Sequence, residues 1–99
     1  MKFGLSPEDF SLFQKLVIDP LKAEGCRLYV FGSRATQKHQ KFSDIDVLID
    51  MPNASSLSRF YQIKEAIEEA RFPIKVDFVL LGNLAESYAQ KIHQEKIEL

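Results

Sequence analysis

Residues 28–49 read LYVFGSRATQKHQKFSDIDVLI, and the rest of the chain can be built outward from them. Arg27 to Phe31 is aromatic and β-branched, the composition of a strand. Gly32-Ser33 breaks it, and a short helical turn over Ser33 to Thr36 follows. Gln37 to Phe42 is polar and basic, a loop. From Asp44 to Asp50 acidic and apolar residues alternate with the period of a second strand. Positions i and i+2 of a strand share a face. Asp44 and Asp46 therefore point one way, and Ile45, Val47 and Ile49 the other, toward a core.

That division gives the second strand a chemical face. Two carboxylates side by side repel, so a cation is expected between them. Hard oxygen donors favour Mg²⁺ or Mn²⁺ over zinc. A third acid, Asp77, interrupts the apolar run from Ile74 to Leu81. A run this apolar usually crosses a core, where a lone carboxylate is costly unless paired or bound to metal. If its strand lies beside the second, three carboxylates converge and can hold two ions roughly 3.5–4 Å apart, the arrangement used for in-line phosphoryl or nucleotidyl transfer. Upstream, Gly32 lets backbone approach a ligand, and the following N–H groups with the Ser33 hydroxyl form a seat for phosphate. There is no GxxxxGK[ST] loop. Taken singly, each element also has an ordinary reading: a chance D-x-D, a bare turn, an Asp77 paired with a nearby Lys or Arg. Their order along the chain joins them.

Around this centre the elements alternate. Ser6-Pro7-Glu8-Asp9 opens a helix, with Ser6 as cap and Pro7 at the first position. Phe10, Phe13, Leu16, Val17 and Leu21 follow at helical spacing. Pro20 is expected to kink or divide that helix, and Gly25 to end it. After a turn at 51–53, Ser55 or Ser56 can cap a helix whose face is Leu57, Phe60, Ile63, Ile67 and Ala70. Lys75 to Leu81 is the third strand. Leu84, Tyr88, Ile92 and Leu99 line a final helix. The order helix, strand, strand, helix, strand, helix gives an α/β (α+β) class, a small mixed sheet with helices on one face.

Ninety-nine residues point to one domain, 1–99. The net charge of −1 gives no sign of direct nucleic-acid binding. The single Cys26 excludes an intrachain disulfide and a cysteine-rich zinc site. Neither a signal peptide nor a membrane span is read, so the expected address is cytoplasmic.

The pattern VFGSRATQKHQKFSDIDVLI followed by KVDFVLL resembles the minimal nucleotidyltransferases (MNT) of the polymerase-beta-like superfamily. The resemblance is strongest in GSRA and SDIDVLI. It implies that fold, Mg²⁺ (or Mn²⁺), and ATP as the substrate nucleoside triphosphate. It also implies an antitoxin role in a toxin–antitoxin pair, with AMP passed to a tyrosine of a HEPN-family partner. By the same resemblance Gly32 and Ser33 hold the triphosphate, Asp44 and Asp46 ligate both metals, and Asp77 ligates the catalytic metal and helps deprotonate the acceptor. Arg34 either reaches a phosphate or braces the loop. One departure is Gln37, where many members have Gly, which predicts an altered loop geometry. Two other functions stay open: an MNT-fold antitoxin acting by binding alone, and a transferase for an aminoglycoside-like small molecule. Phe3, Leu5, Phe10, Tyr88, Ile97 and Leu99 form a candidate docking surface for a partner or for a homo-oligomer.

Overall fold

The structure, a computed structural model, describes residues 2–99. The chain from Pro7 to Ala23 is helical in three consecutive segments: α1 (Pro7–Phe13), a π-helical segment (Gln14–Ile18) and α2 (Asp19–Ala23). The Ser6 side chain accepts the Asp9 N–H at 3.1 Å and caps the start. Pro20 does not divide the helix. The wider π segment just before it, in which the Asp19 N–H bonds the Gln14 carbonyl, gives the ring room at the preceding turn. Gly25, at φ 83°, ends the helix. Its N–H bonds the Lys22 carbonyl, and the Cys26 N–H bonds that of Leu21.

Four strands follow: β1 (Arg27–Phe31), β2 (Ile45–Asp50), β3 (Val76–Leu80) and β4 (Ile97–Glu98). The sheet order is β3-β2-β1-β4, with β1 antiparallel to both β2 and β4, and β2 parallel to β3. The parallel pair needs a crossover, which α3 (Leu57–Glu69) provides. A 3-10 turn (Ala54–Ser56) capped by Asn53 leads into α3. The cap expected from Ser55 or Ser56 therefore comes from an earlier residue, and Ser56 is buried instead. The last helix, α4 (Glu86–Glu95), stops short of Leu99. Residues 97–98 leave it to pair with β1, so a fourth strand stands where helix was expected.

Period-two burial sorts the sheet into two faces. Leu28 and Val30 of β1 and Ile45, Val47 and Ile49 of β2 are completely buried against Phe13, Val17, Leu21, Phe60, Ile63 and Ile67. The helices α1 to α3 thus cover one face, while α4 lies on the other, which corrects the expectation of helices on one face only. On the other face Tyr29, Phe31 and Leu48 pack with Ile92 of α4. That second cover is small and leaves one end of its face, at Asp46, to a cavity.

Candidate active site

The site begins where β1 stops. A 3-10 turn (Gly32–Arg34) follows Phe31 directly, one residue earlier than the sequence suggests. Gly32 has φ 74°, a backbone region costly for any residue with a Cβ. A Cβ there would also run into Asp46 Oδ2. Gly32 is therefore required twice, by its own backbone and by the carboxylate beside it. The Gly32 carbonyl accepts the Ala35 and Thr36 N–H groups, which fixes the turn.

Asp46 lies on the α4 face of β2, with its apolar neighbours Ile45 and Val47 on the other side as expected. Asp77 is its register partner across the parallel β2–β3 pair. The two line a cavity of about 150 Å³ with Phe31, Gly32, Lys91 and Glu95. This volume suits phosphate and metal rather than a whole nucleotide, which would extend out of the mouth. Burial first, then the charges of Asp77, Asp44 and Glu95, push the Asp46 carboxyl up from 3.8 to about 6. Burial falls on Asp46, not on Asp77. β3 is an edge strand and Asp77 is exposed, which corrects the expectation of a core strand.

Asp44 precedes β2 and is exposed, close enough for its charge to act on Asp46. As placed, no three His, Cys, Asp or Glu side chains among the described residues close on a common point. The donor chemistry nevertheless fits a hard divalent cation: all donors are carboxylate oxygens, and Asp77, Asp44 and Glu95 add negative charge around the partly buried Asp46. Asp44 and Asp77, both exposed, can turn toward Asp46 without disturbing the core.

Arg34 shows the bracing role of the two open to it. It is 1 % exposed, and its guanidinium donates to the carbonyls of Phe3 (2.7 Å), Ser43 (2.9 Å) and Lys41 (3.3 Å). It ties the loop to the N-terminal segment. Lys38 and Lys41 are exposed, and His39 is half-buried against Gly4. The largest cleft, about 740 Å³, lies on this side, lined by Phe3, Phe10, Arg34, His39 and Leu99 among others, and contains none of the three acids.

Gln37 holds φ 62°. Glycine adopts this backbone freely and a residue with a Cβ does not, so Gln37 in place of the family's Gly adds local strain to the loop. Gln37→Gly is expected to stabilise the protein by about 0.5–1 kcal/mol, the left-handed penalty less glycine's extra unfolded-state entropy. A thermal melt showing no gain would mean that the Gln37 side chain compensates for its backbone.

Three residues of this site escaped the sequence reading in that role: Tyr88, Lys91 and Glu95, all lining the cavity from α4. Tyr88, read among the candidate docking residues, is 53 % exposed at the cavity. Glu95 Oε1 accepts the Gly32 N–H at 2.9 Å. A signal existed. Glu95 falls three residues after Ile92, an acid on the inward stripe of an amphipathic helix.

Comparison with known proteins identifies the family and the fold. Over 68 residues the chain is 31% identical to the protein adenylyltransferase MntA of Thermococcus cleftensis, covering 69% of this chain and 68% of that protein. A solved structure described as a minimal nucleotidyltransferase superposes with a TM-score of 0.74 at 25% identity, covering 96% of this chain and 97% of that one. A chain from the complex of a tri-AMPylated Shewanella oneidensis HEPN toxin with its MNT antitoxin shares the fold (TM-score 0.58, 18% identity, 92% of this chain and 68% of that one). Residues 25–99, from the end of the first helix through all four strands, match the family of polymerase beta nucleotidyltransferases, and the chain belongs to that family.

Proposed function

We propose that this nucleotidyltransferase uses Mg²⁺ to transfer AMP from ATP to a tyrosine hydroxyl of a HEPN-family partner, acting as its antitoxin. The observation that carries the reading is the Asp46–Asp77 register pair opening onto the same cavity as the Gly32 turn. The relatives add the acceptor class: one is named a protein adenylyltransferase, and another shares its complex with an AMPylated HEPN toxin.

In this reading the N–H groups of the Gly32–Arg34 turn and the Ser33 hydroxyl seat the triphosphate. Lys91, on the cavity wall, offsets part of its charge. Asp44, Asp46 and Asp77 hold Mg²⁺, which supplies charge neutralisation at the phosphates when bound. The acceptor oxygen bonds to the α-phosphorus as the bond to pyrophosphate breaks. The hydroxyl proton passes to a carboxylate of the site, for which Asp77, exposed at the cavity edge, is best placed. Exposed Tyr88 and Ile97 remain as partner-facing apolar groups, whereas Leu5, first counted with them, is buried.

The test is intact-mass spectrometry of a HEPN protein co-expressed with this chain. A mass increment of one or more adenylyl groups is expected, absent when Asp46 is changed to Asn. Stable complex formation without any increment would leave a binding antitoxin and remove the transfer reaction.

A further inference from the structure

Glu95 is the last residue of α4 and is half-buried. It reaches across the cavity to the Gly32 N–H, the first donor of the turn that follows β1. It shares that cavity with Asp46 and Asp77, so it adds a further negative charge where carboxylates already repel. Lys91 on the cavity wall offsets part of that charge, and the hydrogen bond from Gly32 to a charged acceptor is among the stronger ones. The same N–H carries one proton. It cannot serve a carboxylate and a phosphate oxygen fully at once.

We infer that Glu95 is a resident anion of the phosphate seat. It holds the Gly32 turn in shape before nucleotide arrives, and yields the N–H to the triphosphate. The inference rests on the nucleotide-binding reading above. Glu95 is placed to move: after it Lys96 leaves the helix in an extended conformation (φ −66°, ψ 145°), and the Glu95 side chain reaches in from this helix end. The Lys96 ammonium is engaged elsewhere, 4.3 Å from the Tyr29 ring centroid, so the release needs only the Glu95 side chain to turn.

The experiment measures ATP affinity by calorimetry with Mg²⁺ for wild type, Glu95→Gln and Glu95→Ala. It also records the glycine amide signals in ¹⁵N-labelled protein. With four glycines in the chain, the Gly32 signal is readily assigned. Glu95→Gln is expected to bind ATP about tenfold more tightly, since one charged competitor and one like charge are gone. Glu95→Ala should bind at least as tightly as wild type. The Gly32 amide proton of the free protein should move upfield in both variants. Equal or weaker affinity in variants that melt cooperatively would overturn the inference and leave Glu95 as a structural prop of the turn. Absence of ATP binding in all three proteins would overturn it together with the nucleotide-binding reading.

Discussion

Asp46→Asn is expected to lower Mg²⁺-dependent ATP binding and AMP transfer by about 100-fold or more while raising the melting temperature of the metal-free protein. The two effects have one cause. Asp46 is the carboxylate most enclosed by other acids and by burial, and its pKa rises from 3.8 to about 6. The folded protein therefore holds this proton more tightly than the unfolded chain does. Above about pH 6 the ionised group weakens the fold. As the pH falls from 6 toward 3.8 the penalty fades, because the folded carboxyl takes up its proton while the unfolded one is still ionised. The thermal advantage of Asn over Asp should be full at pH 7.5 and nearly gone at pH 4. Saturating Mg²⁺ and ATP should reverse the ranking, since a ligand that binds only the folded wild type stabilises it. Calorimetry giving wild type and Asp46→Asn equal metal–nucleotide affinity would remove Asp46 from the site.

Gly32→Ala is expected to weaken ATP binding by about tenfold or more. The added methyl meets the Asp46 carboxylate, and the φ of 74° becomes strained. The left-handed backbone alone costs about 1–2 kcal/mol for a residue with a Cβ. If the turn relaxes to escape it, its N–H groups leave the seat. Losing one hydrogen bond to a charged phosphate, about 1.5–3 kcal/mol, already accounts for the tenfold loss. Full ATP affinity in a folded Gly32→Ala protein would place the triphosphate elsewhere.

Most of the site is legible along the chain because its parts are local. The alternation in DIDVLI puts Asp46 opposite Ile45 and Val47 without any knowledge of the fold, and the structure agrees. The Gly-Ser break after an apolar strand is equally local. What periodicity does not reveal are pairings across long separations. The neighbour of Asp46 on β3 depends on a crossover, and the apolar content of residues 74–81 suggests a core strand where an edge strand stands. Only one side of β3 is paired, yet Val76, Phe78 and Leu80 still pack on the core, so composition alone misjudges the exposure of Asp77. Two residues of strand at 97–98 are too few to show a period. The role of Arg34 was narrowed only by the carbonyls around it.

The contact from Glu95 to Gly32 spans 63 residues of chain, and the Arg27–Glu98 ion pair spans 71. Closing loops of that length takes the most chain entropy, so such contacts form after the hairpin and the helices have assembled. The Gly32 turn therefore reaches its final form late in folding. A chain with its larger core already packed, but with residues 95–98 still loose, has a Gly32 N–H not yet claimed by Glu95. The Gly32 amide is then a readout of completed folding, and during refolding its signal should reach the native position after the signals of the core.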